Sequence, residues 1–158
     1  MNDETYIPCP RGILSEAVML LTLSYVSVAR RPVHSKELAE LAEKYRRNNA
    51  RNDITGMLLY HDLRFMQVIE GPMSNIRTLF ENIKSDPLHD QILKIFEDPI
   101  QNREFLNWSL GVVNGSSLGL EDQTLLNRFL EDAGAQPTTP GLAGQGSRML
   151  RHFRNAML

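Results

Sequence analysis

Cysteine is almost absent: Cys9 is the only one in 158 residues. An intramolecular disulfide and a multi-thiolate metal site are therefore both excluded, and a reducing compartment is expected. The histidines, His34, His61, His89 and His152, are scattered with no paired metal spacing. Positive charge is not in excess either. Seventeen Lys and Arg stand against nineteen Asp and Glu, a formal net charge of −2, which argues against a dedicated binder of nucleic acid or of an anionic membrane. No apolar run is long enough to cross a membrane, and Met1 to Pro10 carries Asp3 and Glu4 where a signal peptide would carry positive charge. A cytoplasmic protein is expected. Enzyme signatures are missing as well: no G-x-S-x-G, no phosphate loop, no Rossmann glycine fingerprint and no His-Glu metal motif. There are no internal repeats.

What is present is enough for one domain with a sizeable core, since 42% of the residues are hydrophobic and 23% charged. After a poorly patterned lead over residues 1–18, alternation over Leu20 to Ser27 predicts a strand with Leu21, Leu23, Tyr25 and Ser27 on one face. Arg30-Arg31-Pro32 ends it. Ser35 is the expected N-cap of a helix running to Asn48 or Asn49, and the charged run Glu43, Lys44, Arg46, Arg47 reads as its solvated face. Ile54 to Tyr60 and Arg64 to Glu70 read as a hairpin turning at His61-Asp62-Leu63. A second helix is expected over Ser74 to Ser85, stopped by Asp86-Pro87. Then come a strand at Ile92 to Glu97, an irregular piece over Pro99 to Phe105, and a strand over Asn107 to Val113 that sets Trp108, Leu110 and Val112 on one face.

The order is βαββαββ, the ferredoxin-like split βαβ with an added strand: an α+β fold with a mixed sheet and two helices on one face. C-terminal helices follow. Glu121 to Asp132 reads as a helix, 133–146 as a linker rich in Gly, Pro, Thr and Ala, and 147–158 as a short amphipathic tail helix. The tail carries Met149, Leu150, Phe153 and Met157 on its apolar stripe; it is expected to pack on the free sheet face of its own domain, the alternative being a partner, and to serve output or assembly.

Two amides are oddly placed. Eleven residues at about 100° each bring Asn49 to within about 20° of Leu38 on the buried helix stripe. Alternation puts Gln67 with Phe65 and Ile69, facing inward. A primary amide buried without partners costs about 1–3 kcal/mol. Each amide either satisfies a nearby backbone group or reads something polar and flat. Tyr25 is a third polar-tipped residue on an inward face, where a plain core role with a satisfied hydroxyl is the alternative. A phenol that can lose an electron and a proton, beside two amides offering donor and acceptor together, suits the O=C–N–H–C=O edge of a flavin.

From Leu20 to Val113 the chain resembles the BLUF family of flavin-binding blue-light sensors. The marks are Tyr25-Val26-Ser27-Val28-Ala29, Asn48-Asn49 ahead of Ile54-Thr55-Gly56-Met57-Leu58-Leu59-Tyr60, Phe65-Met66-Gln67-Val68-Ile69-Glu70-Gly71, Asp86-Pro87-Leu88-His89, and Arg103 to Gly111. The resemblance implies a flavin-binding domain over residues 19–116 and a non-covalent FAD lying between the two helices. Asn49 would bond the ring edge, and Gln67 would bridge Tyr25 and the flavin. Ser27, Asn48, Asn82, Asp86 and His89 stand at family positions around the cofactor. Tyr25, Gln67, Trp108 and Leu110 would carry the photochemistry, a reversible red shift. Two departures stand out, Asn82 where the family often has Arg or Lys, and Leu110 where it usually has Met. The implied output is contact with a downstream protein or a second copy of the chain, without enzymatic activity.

Rival readings are an acylphosphatase-like enzyme on the same layout, an RNA-binding module, and a cofactor-free interaction domain. The first needs a glycine-rich phosphate loop after the first strand, which Ser27 to Arg31 does not supply. The second needs exposed aromatics on the central strands.

Overall fold

The computed structural model describes residues 18–106, 111–135 and 141–156. In chain order the elements are β1 (Leu20–Ala29), α1 (Ser35–Arg51), β2 (Thr55–His61), β3 (Arg64–Pro72), α2 (Met73–Ser85), β4 (His89–Ile100), β5 (Gly111–Asn114), a 3-10 turn (Gly115–Ser117), α3 (Leu120–Ala135) and α4 (Leu142–Ala156). The five strands form one sheet in the order β4-β1-β3-β2-β5. Every pair is antiparallel except β2 with β5. This is the expected mixed α+β sheet, with β1 and β3 at its centre.

Both faces of the sheet are covered. Leu21, Leu23, Tyr25 and Ile69 pack under Ile76 and Phe80 of α2, and Leu58, Tyr60 and Phe65 pack with Leu38 of α1. On the opposite face Val26, Met57, Leu59, Met66 and Val68 meet Leu126, Phe129 and Leu130 of α3 and Leu142, Met149, Leu150 and Phe153 of α4. Strand alternation is what divides these sets. The tail helix thus lies on its own domain, and Met157 of its expected stripe falls outside the described residues.

Several boundaries differ from the sequence reading, each for a local reason. The N-cap of α1 is His34, not Ser35, and it makes no side-chain cap; the Ser35 hydroxyl instead accepts from Asn114 Nδ2 at 3.1 Å. The same helix runs past Asn49 to Arg51, because the Asn49 carbonyl accepts from Asn52 N and Ile54 N and Asp53 takes the left-handed conformation, φ 52°, that closes a helix end. β4 extends from His89 to Ile100, beyond the expected 92–97. Pro99 is accommodated because β4 is an edge strand, and a bulge at Gln91, φ 46°, lets His89 pair with Ala29.

The span 133–146 is not a linker throughout. α3 continues to Ala135 and α4 starts at Leu142. Gly144 and Gly146 lie inside α4, and a Cβ at Gly146 would lie 3.0 Å from Ile95 Cγ2. The glycine therefore allows the close approach of α4 to β4, at a helix-propensity cost of about 1 kcal/mol. The expected last strand over 107–113 is described only from Gly111 onward; Trp108 and Leu110 lie outside the described residues.

Candidate functional site

Tyr25 and Gln67 are direct partners across β1 and β3, so both side chains leave the sheet on the α1–α2 face. The Tyr25 hydroxyl donates to Gln67 Oε1 at 2.5 Å, and Ser24 Oγ donates to the Gln67 carbonyl at 2.9 Å from the neighbouring strand. Gln67 is pinned by its backbone and by its amide oxygen. Its amide nitrogen has no partner among the described residues, although only 6% of the residue is exposed. Burial pushes the Tyr25 phenol well above the usual tyrosine range, with Tyr45 and Asp86 adding to the effect, so it stays protonated and donates.

The turn after α2 supplies the next wall. Pro87 forces an extended Asp86, φ −73° and ψ 124°, and Asp86 Oδ1 accepts from Leu88 N at 2.8 Å. The chain then enters β4 with His89 inward, its Nδ1 at 2.7 Å from Ser27 Oγ. The His89 ring lies 4.7 Å from Phe65 and 6.1 Å from Tyr25, centroid to centroid. Burial lowers its pKa, Asp86 opposing, which keeps the imidazole neutral at pH 7. Ser27 lies behind His89 and holds it.

These groups line a cavity of about 210 Å³ between α1 and α2, with Tyr25, Gln67 and His89 from the sheet and Asn48 and Asn49 from α1. Asn82 of α2 and Asp86 complete the polar set, and Leu79 and Ile83 supply an apolar wall. Of the ten residues singled out from the sequence, seven converge here, Ser27 supports from behind, and Trp108 and Leu110 are not described.

Lys44 and Tyr45 also line the cavity and were missed as site residues. The signal was available: they precede Asn48 and Asn49 by four, one helical turn on the same face. Burial first, then Asp86 and Glu37, pushes the Tyr45 phenol up to about 12.

The donor set fits a flat heterocycle with carbonyl and N–H groups along one edge. Three amides offer both donor and acceptor, the phenol–amide pair stands against them, and the walls are partly apolar. A larger groove of about 530 Å³ lies between α3 and α4, but it lacks converging amides. Among the described residues no cluster of three or more His, Cys, Asp or Glu could hold a metal ion, and no helix is long and apolar enough to cross a membrane.

Comparison with known proteins agrees with this geometry. The family model described as BLUF, sensors of blue-light using FAD, matches residues 20–111. The photoactivated adenylate cyclase subunit beta of Euglena longa is 37% identical over 92 residues, 58% of this chain and 11% of that protein. The blue light- and temperature-regulated antirepressor BluF of Escherichia coli (strain K12) is 33% identical over 87 residues, 55% of this chain and 22% of that protein. The chain thus spans a small part of these relatives' length. Among solved structures, the dark state of BlrB, a BLUF protein, superposes with a TM-score of 0.64 at 30% identity, covering 83% of this chain and 94% of that one. A bacterial light-regulated adenylyl cyclase gives a TM-score of 0.71 at 27% identity, covering 75% of this chain and 36% of that one.

Proposed function

The chain belongs to the BLUF family of flavin-binding blue-light sensors, and we propose that it is a photoreceptor using non-covalent FAD in the α1–α2 cavity. The observation that carries this is the Tyr25–Gln67 hydrogen bond at 2.5 Å in a wall shared with Asn48, Asn49 and Asn82. Asn49 and Gln67 would hold the ring edge, with Asn48, Asn82, Asp86 and His89 around it. Trp108 and Leu110 belong to the same photoactive group in this reading.

The bound flavin supplies absorption of blue light and an acceptor for one electron and one proton. Tyr25 holds its proton on the phenol oxygen in the dark, because burial opposes its loss, and is the group able to give up both. Gln67 would exchange donor and acceptor by turning its amide through half a rotation or by tautomerising, and the electron and proton would then return to Tyr25. In the rotated form its NH₂ meets the Tyr25 oxygen, and its carbonyl oxygen moves to the cavity side. The hydrogen bonding offered to the ring edge changes while the packing does not, which is the basis for a reversible red shift.

Residues 19–116 form the sensing domain in this reading, with 1–18 as an extension. The output is contact through the C-terminal helices, with a second copy or a downstream protein in the cytoplasm, and not catalysis. The test is an absorption spectrum before and after blue light. A yellow protein with a red shift that decays in the dark is expected. A preparation that stays colourless after refolding with excess FAD would overturn the reading.

A further inference from the structure

The α1–α2 cavity opens beside a second depression of about 380 Å³, and the two share Lys44, Tyr45 and Asp86. The charges around this outer depression are unequally engaged. Arg31 is tied to Glu37 by two hydrogen bonds, at 2.8 and 2.5 Å. Arg30 reaches the His89 carbonyl at 3.5 Å and Asp90 at 3.7 Å. Asp86 Oδ1 is engaged by Leu88 N. Lys44 has no ion pair or hydrogen bond among the described residues, and it stands where the ring cavity meets the outer depression. On the facing helix the cavity is lined by neutral Asn82, so the cation at this rim comes from α1.

Resting on the flavin reading above, we propose that Lys44 marks a phosphate subsite: the ring occupies the inner cavity, and the phosphate on the ribityl chain, terminal in FMN and bridging in FAD, is received by Lys44. The inner cavity offers amides, a phenol and an imidazole, which match the uncharged ring and leave an anionic tail unmet. The outer depression is where such a tail finds a positive charge free of a competing carboxylate. Asp86, the carboxylate at the junction, disfavours the anion on its own side and directs it toward α1. Lys44 therefore discriminates between flavins that carry a phosphate and riboflavin, which does not.

The experiment compares riboflavin and FMN by quenching of flavin fluorescence as each binds the full chain, at low and high ionic strength. An exposed ion pair of this kind is worth a few-fold in affinity and is screened by salt. Wild type is expected to bind FMN about fivefold more tightly than riboflavin at low salt, with the preference shrinking at high salt. Lys44 is exposed on its helix, and glutamine is nearly as good a helix former, so Lys44→Gln should fold. It is expected to abolish the FMN preference, and Lys44→Arg to restore it. An unchanged preference in Lys44→Gln would overturn the subsite alone, as would a preference that disappears only in Arg30→Gln. Equal binding of the two flavins by wild type would do the same. Failure of every flavin to bind would overturn the cavity reading together with the subsite.

Discussion

Tyr25 and Gln67 face each other across two strands, so removing either hydrogen-bonding group tests the pair without disturbing the sheet. Tyr25→Phe keeps the ring that packs on Phe80, 5.7 Å away, and loses one hydrogen bond, at a cost of about 1 kcal/mol. It is expected to bind flavin and to show no reversible red shift in light-minus-dark spectra. Gln67→Leu should behave likewise; retention of the wild-type difference spectrum by either would count against the assigned roles. The phenol also sets a pH dependence. Folded Tyr25 keeps its proton where an unfolded tyrosine loses it, near pH 10. Its contribution to stability is therefore constant below that pH and is lost as pH rises above it. Urea denaturation between about pH 8 and about pH 11 should show the fall only in the upper part of that range. Leu110 supports a finer prediction. Leu110→Met conserves volume, with a cost below about 1.5 kcal/mol, and adds a polarizable sulfur. Dark recovery should change while the red shift persists, and unchanged recovery would make the side chain inert packing.

At the scale of elements, the stretch before β5 is fastened from three directions. Glu70 on β3 accepts from Glu104 N at 2.8 Å and Phe105 N at 3.0 Å. Arg103 donates to the Asp53 carbonyl at 2.8 Å, and Arg151 of α4 makes two bonds of 2.9 Å to Glu104. Burial raises the Glu70 carboxyl above its ordinary range, and the two backbone donors oppose this. The folded carboxyl thus costs stability as pH rises from about 4.5 through its folded value. Glu70→Gln can still accept from both amides and should lie within about 1 kcal/mol of wild type, faring better at pH 7 than at pH 4. Glu70→Leu removes the acceptor of the part-buried Glu104 N–H and the buried Phe105 N–H and should cost about 1–3 kcal/mol by chemical denaturation.

Elements were legible in the sequence where a period was clean. The alternation of β1 and the hairpin, and the apolar spacing of Ile76, Phe80 and Ile83, put the strands, α2 and the inward amides in place. The N-terminal half of α4 was not legible, because Gly144 and Gly146 lower helix propensity while contact with Ile95 overrides it. Lys44 escaped notice because a charged residue among charged neighbours reads as solvated face until its helix is set beside α2. Glu70 looked like the polar end of a strand, and nothing local announces the backbone amides it meets 34 and 35 residues later.

For the whole molecule, the sheet is a shared wall with the amide-lined α1–α2 cavity on one side and the C-terminal helices on the other. Phe153 is fully buried against that far side. Phe153→Ala should therefore cost about 3–5 kcal/mol in urea denaturation, and flavin should be released in step with unfolding and not before it. Deleting residues 141–158 removes Leu142, Met149, Leu150 and Phe153 from the cluster that α3 and α4 together build on this sheet face and should give a chain that associates, detectable by light scattering. A deletion that remained monomeric and as stable as the full chain would show that α4 is dispensable to the core.

Gln67 and Glu70 stand three positions apart on β3, paired with Tyr25 and Thr22. An odd separation sends one side chain to each face of the sheet. Inserting or deleting one residue between them would carry Glu70 to the cavity face and leave the amides of residues 104 and 105 without their acceptor. Substitution between 67 and 70 leaves the strand register intact, whereas a change of length by one residue turns the cavity wall and the anchor of the following stretch inside out together.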